Sequence, residues 1–217
     1  MRIAILMLLS VPVCTTAQQP ITTATDAPTR PVRECVACHT AQTKFQSGTS
    51  MAHAAETIAE CGVLRSHPLL KSRLGDYDYR IERRGSQSFY TVSDTTGSLT
   101  LPIKYAFGLG EAGQTYILEK DGEFFESFVS YYKALNGLDI TMGDQLLHPG
   151  NLKEAAGRRI GIHEIQVCFG CHTTNAFHDG ALDESKLVPG VQCEHCHGPS
   201  ENHLAGLKSG NAQLFKM

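Results

Sequence analysis

Three short strings, CVACH at Cys35–His39, CFGCH at Cys168–His172 and CEHCH at Cys193–His197, repeat one pattern, C-x-x-C-H. Two thiols one helical turn apart can add to the two vinyl groups along one edge of a porphyrin. The next residue then sets an imidazole beneath the iron. A chain built this way folds around flat, covalently held apolar groups and needs few bulky side chains near them. Two other readings of the cysteines compete. Disulfides suit an exported chain, but they give no reason for a histidine behind every pair. A zinc ribbon fits Cys168, Cys171, Cys193 and Cys196, which form C-x2-C-x21-C-x2-C, a spacing close to known ribbons. It leaves Cys35 and Cys38 without partners and the three following histidines unexplained. The pattern therefore implies three covalently attached haem c groups, held by Cys35, Cys38, Cys168, Cys171, Cys193 and Cys196, with His39, His172 and His197 as proximal iron ligands.

Of the 10 histidines, six lie outside the motifs: His53, His67, His148, His163, His178 and His203. They outnumber the three distal positions, so each competes with an ordinary surface role. His53, His67 and His203 rank first as iron ligands, with Met51 a thioether rival to His53. His163 and His178 flank the second motif too closely to serve its own iron, and His148 sits in a loop. His195, between the two cysteines of the third motif, reads as a bystander. His203 follows His197 by six residues, a rise of about 9 Å on a continuous helix. It cannot wrap round its own haem, but it can reach the iron of a neighbouring one.

Compartment fits this chemistry. Arg2 precedes an apolar run, IAILMLLSVPVC, and then small residues, TTA. This is a secretory leader over residues 1–17, cut near Ala17, and too short for a membrane span. A lipoprotein acylated at Cys14 is the weaker alternative, because VPVC lacks the small residue usual before such a cysteine. The mature chain is expected in a periplasm or otherwise exported. Its formal net charge of −3 argues against a nucleic-acid role.

The aromatic residues are segregated. All seven tyrosines and five of the nine phenylalanines fall between Tyr77 and Tyr132, and there is no tryptophan. In that interval the sequence alternates: Tyr77, Tyr79 and Ile81 share one face, and Leu99, Leu101, Ile103, Tyr105 and Phe107 share one face. Asp121-Gly122 marks a tight hairpin, and Arg84-Gly85-Ser86 and Thr95-Thr96-Gly97 mark turns. The expectation is an antiparallel sheet of four or five strands with its own core. Helical character resumes at Asn151, which with Glu154 forms a capping box. The fold class is thus α+β: helical, loop-rich haem-bearing segments with an antiparallel β-sheet insertion. The expected organisation is a leader (1–17), a linker (18–33), an N-terminal haem segment (34–68), the β insertion (69–148) and a helical di-haem segment (149–217). Cys61 is left over, either buried or paired between chains.

The three motifs, the histidine of SMAH after the first, and the histidine after CHGP in CEHCHGPSENH resemble the multihaem c-type cytochrome superfamily. They are most similar to the tetrahaem electron-transfer cytochromes associated with hydroxylamine oxidoreductase. The resemblance covers residues 34–66 and 167–207 and is looser for the sheet. It implies haems stacked in pairs, mostly bis-histidine irons, and His53 and His203 as distal ligands; His67 rests on the residue reading alone. Relatives usually carry a fourth motif, and the given sequence ends at AQLFKM with three. Two functions follow as expectations. One is an electron carrier between donor and acceptor proteins, with a membrane-associated redox partner among the candidates and an oligomer left open. The other is an oxidoreductase with one open-site iron acting on a small nitrogen or sulfur compound. The surplus of histidines favours the carrier, which is not an enzyme.

Overall fold

The computed structural model describes residues 35–211. The expected leader with Cys14, the whole of the linker and the terminal AQLFKM lie outside the described residues. No helix among the described residues is long and apolar enough to cross a membrane.

The first motif runs into α1 (Thr40–Ser47), followed by β1 (Ala55–Thr57) and α2 (Gly62–Ser66). Seven strands come next: β2 (Leu69–Leu74), β3 (Tyr77–Arg84), β4 (Gln87–Ser93), β5 (Ser98–Phe107), β6 (Thr115–Lys120), β7 (Glu123–Ser127) and β8 (Val129–Tyr132). The insertion closes with β9 (Gly137–Ile140). Helix α3 (Leu152–Ala156) leads through β10 (Gly157–Arg159) into α4 (Ile162–His172), which ends in the second motif. Four two-residue strands follow, β11 (Thr173–Thr174), β12 (Phe177–His178), β13 (Ala181–Leu182) and β14 (Val188–Pro189). The third motif is α5 (Cys193–His197), and α6 (Glu201–Ser209) carries His203.

The architecture is α+β. The main sheet is antiparallel and has eight strands in the order β10-β7-β6-β5-β4-β3-β2, with β1 paired to β5. It is larger than the four or five strands expected: β1 and β10, three residues each, are too short to show a period, and β2 buries only Leu70. Asp121 (φ 54°) and Gly122 (φ 77°) form the two-residue turn between β6 and β7, the geometry that an Asp-Gly hairpin requires. At the β4–β5 turn, Asp94 Oδ1 accepts from the N–H groups of Thr96 and Gly97.

Alternation fails at one place, and that failure positions the functional site. Ile103 pairs with Leu118 while Tyr105 pairs with the next residue, Ile117, so Lys104 is an extra residue in β5. Such a bulge reverses the side-chain alternation beyond it. Leu101 and Ile103 stay in the main core with Tyr79, Ile81, Tyr90, Val92, Tyr116 and Leu118. Tyr105 and Phe107, expected on that same face, instead join Ile117, Phe124 and Phe169 on the opposite face. Strands β5 to β7 are therefore buried on both sides: one face makes the sheet's own core, and the other seats α4. Lys104 bonds Glu119 and Glu184 (2.7 and 3.0 Å), and the Tyr105 hydroxyl donates to Glu184 (2.9 Å).

Candidate functional site

The second motif is seated by an aromatic cage. Phe169, inside CFGCH, is fully buried. Its ring lies 5.3 Å from Tyr105, 5.1 Å from Phe107 and 5.8 Å from Phe124, the first two edge-to-face. Such contacts add to the burial of about 3 kcal/mol that a core phenylalanine supplies. Phe107 also stacks parallel to His172 at 5.0 Å. His172 Nδ1 lies 2.9 Å from the carbonyl oxygen of Ala54. A carbonyl can only accept, so Nδ1 carries the proton and Nε2 presents its lone pair, the arrangement of a metal-ligating histidine oriented by a backbone acceptor.

Backbone contacts bind the first motif's segment to the third. Val191 N donates to the Met51 carbonyl (2.8 Å), and Gln46 Nε2 to the Val191 carbonyl (2.5 Å). Gln192 Nε2 donates to the Ala52 carbonyl (3.2 Å). Gly190, at φ 77°, lets the chains approach so closely that a Cβ there would lie 1.9 Å from the Ala52 oxygen. His195 Nδ1 sits 3.0 Å from the Thr173 carbonyl, tying α5 to the residue after His172. His195 is thus an anchor between the second and third motifs, a role its place inside the motif does not reveal.

The rings of His39 and His203 have centres 6.3 Å apart and planes inclined by 36°. Two imidazoles bound in trans to one metal at about 2 Å, with ring centres about 1.2 Å behind each nitrogen, have centres about 6.4 Å apart. A separation of this size would let the imidazole of the first motif and the imidazole carried by α6 hold one iron between them.

The other histidines are placed differently. His53 Nε2 lies 3.0 Å from the Ser47 carbonyl and its Nδ1 lies 3.5 Å from Glu56, so its own segment engages both nitrogens. His67 Nε2 bonds Asn136 (2.8 Å), and its Nδ1 is near Ser66 and the Val63 carbonyl (2.9 and 3.2 Å). With its ring against Tyr131 at 5.1 Å, His67 is held by the β insertion, leaving no ring nitrogen for iron in this arrangement. His178 pairs with Asp179 at the β12–β13 hairpin (3.0 Å). His148 lines a cleft of about 550 Å³ with Phe125, Phe128, Arg158 and Arg159 that no motif residue borders. His163 is exposed on the first turn of α4.

The cysteines answer the competing readings. Cys168, Cys171, Cys193 and Cys196 stand as separate thiols, the first of each pair half-buried and the second exposed. Among the described residues no group of three or more histidine, cysteine or acidic side chains converges as a metal cage. Burial pushes the Cys168 thiol up. The donor set, the oriented His172 and the neighbouring rings of His39 and His203 would hold covalently bound haem. Exposed apolar side chains lie beside all three motifs: Val36, Phe45 and Met51 by the first, Ile162 and Val167 by the second, Leu207 after the third. Cys61, in contrast, is wholly buried in the main core, its thiol donating to Gln114 Oε1 at 3.2 Å and pushed up to about 11 by burial.

Residues 145–198 match the family model of cytochrome c554 and c-prime. The match takes in the second and third motifs and supports a c-type cytochrome with covalently bound haem c, acting in electron transfer. No curated protein and no solved structure shows significant similarity to the chain.

Proposed function

We propose that the protein is an exported tri-haem cytochrome c that carries electrons between a donor and an acceptor protein. The observation that carries this reading is the His39–His203 pair, whose 6.3 Å separation suits a six-coordinate iron closed to substrate. When bound, each haem supplies a one-electron iron couple, and bis-histidine ligation keeps its potential below that of a methionine-ligated iron. The chain's own residues attach and orient the haems: Cys35, Cys38 and His39; Cys168, Cys171 and His172; Cys193, Cys196 and His197. The short backbone contacts between the first and third segments support close packing of the three. His53 remains a distal candidate if it exchanges its Ser47 bond for iron; His67 falls behind it.

A second reading has its own support. The ring pairing joins the first motif to α6, through His39 and His203, and gives no distal partner for His172 or His197. An iron at His172 or His197 with an open face would make the chain an oxidoreductase of a small nitrogen or sulfur compound. The test is to mature the full chain with haem-attachment machinery, weigh it, and record its dithionite-reduced spectrum with and without carbon monoxide. Three haems and a spectrum that ignores carbon monoxide are expected for the carrier. A shift in part of the spectrum turns the assignment to the oxidoreductase, and fewer than three haems overturns the tri-haem reading.

A further inference from the structure

A buried carboxylate sits inside the third motif. Glu194, the second residue of CEHCH, is 9% exposed. Its Oε1 accepts from the Ser200 N–H (2.9 Å) and the Ser200 hydroxyl (2.5 Å), and its Oε2 accepts from Asn175 Nδ2 (3.2 Å). A carboxylate this far from water is kept only when such donors hold it in place. Its partners are informative. Ser200 is the N-cap of α6, yet its side chain makes no capping bond to its own helix; the hydroxyl is spent on Glu194. Asn175 belongs to the stretch that follows His172. Between Glu194 and Ser200 the chain turns at Gly198, whose φ of 80° and ψ of −178° fall in a region open to glycine alone, and then at Pro199. The carboxylate closes this turn, and three residues beyond its end His203 faces His39.

We propose that Glu194 is a positioning residue: it fixes the entry of α6 so that His203 meets the iron held by His39, and its buried negative charge lowers the potential of the haem iron nearest it. The inference rests on the reading of His39 and His203 as an axial pair. Glu194 itself touches neither ring. Its two effects are separable, because one depends on reach and the other on charge. Glutamine keeps an oxygen that can accept from Ser200 but carries no charge. Aspartate keeps the charge and falls one methylene short of Ser200.

The experiment uses the full haem-loaded chain and four variants, each read by haem mass, carbon monoxide difference spectrum and spectropotentiometric titration. His203→Ala should carry three haems and expose one to carbon monoxide; if none responds, the axial-pair reading fails before Glu194 is judged. With that pair established, Glu194→Ala and Glu194→Asp should each bind carbon monoxide at the same haem. Glu194→Gln should stay closed to carbon monoxide while the midpoint of one haem moves upward. A closed iron in Glu194→Asp overturns the positioning role, and an unmoved midpoint in Glu194→Gln overturns the charge role. Should Glu194→Ala fail to hold its haems, the aspartate and glutamine variants still decide both.

Discussion

The sheet and the motif-bearing segments bury themselves by different means. The sheet hides whole side chains: Tyr79, Ile81, Tyr90, Val92, Tyr116 and Leu118 are all at most 1% exposed. Each motif-bearing helix buries almost nothing. Helix α1 buries only Thr43, α4 only Phe169, α5 only Glu194 and α6 only Gly206. Helices of five to eleven residues have no stability of their own in water, so something other than their own packing must hold them. Two agents are at hand. One is the second face of the sheet, which grips α4 through Phe169. The other is the set of hydrogen bonds to backbone carbonyls that join the first and third segments. The sheet works as a platform that folds on its own terms, and the haem segments are ordered against it and against one another.

The largest break in this comparison comes at the point where the two regions meet. Phe169→Ala removes the fully buried side chain by which α4 grips the sheet and should cost about 3–5 kcal/mol. The expected signature in urea unfolding is an early loss of haem-region signal, while the tyrosine signal of the sheet unfolds later. A single cooperative transition would show that the two regions do not differ in stability as described.

Two glycines sharpen the contrast. A Cβ at Gly190 would meet the Ala52 carbonyl at 1.9 Å, and one at Gly157 would meet the Glu126 carbonyl at 1.9 Å, both at positive φ. Each alanine variant should lose more than about 2 kcal/mol, but in different places. Gly190→Ala parts the first segment from the third and should raise protease cleavage around residues 47–54 with the sheet intact. Gly157→Ala spoils the β7–β10 seam and should lower the sheet's own unfolding midpoint. Equal damage to both regions by either variant would contradict the division.

The two regions also differed in how far the sequence revealed them. In the sheet, alternation from Tyr77 to Ile103 and the Asp121-Gly122 turn are local signals, and they marked the strands and the hairpin. The bulge at Lys104 is not local. Its cost is offset by Tyr105 and Phe107 packing on Phe169, a residue more than sixty positions away, so nothing in SLTLPIKYAFG announces it. At the haem segments, the C-x-x-C-H spacing carries the attachment chemistry because geometry dictates the residue types. The groups that orient those residues are mostly carbonyl oxygens, of Ala54 for His172 and of Thr173 for His195, and every residue has one. The turn before His203 marks it in the sequence as a candidate; no local signal announces that His67 bonds Asn136 across the β insertion.

The third test stays inside the platform. Cys61 is held neutral by burial, its pKa raised from 9.0 to about 11. A raised pKa means that the folded state keeps its proton where the unfolded state has lost it. The contribution is fully present below pH 9 and is lost as pH rises through about 11. It amounts to at most about 3 kcal/mol. Between those pH values the stability of the sheet should fall relative to Cys61→Ala, whose curve isolates this group from the tyrosines and lysines that titrate in both proteins. The haem spectrum should not follow, since Cys61 lies in the main core. A parallel pH profile in the two proteins would place the thiol in contact with water.

The smallest effect is at Asn151, and it probes how firmly the platform is insulated from the segments it supports. Asn151 Oδ1 caps α3 by accepting from the N–H groups of Lys153 and Glu154, both at 3.0 Å. The Glu154 carboxylate in return accepts from the Gly150 N–H at 2.8 Å, which holds it below the usual carboxylate range. Asn151→Ala should cost about 1 kcal/mol. Helix α3 packs Ala155 and Ala156 into the main core, so this loss belongs to the sheet's unfolding transition. Yet α3 leads directly through β10 into α4, only a few residues before Cys168. If the visible spectrum of the variant matches the parent while its thermal midpoint falls, strain at the helix cap stops at the sheet, and the sheet and haem segments are coupled through side-chain packing such as that of Phe169 and His172 on Phe107. If the spectrum changes with the midpoint, coupling runs along the backbone of β10 as well, and the platform is part of the haem site.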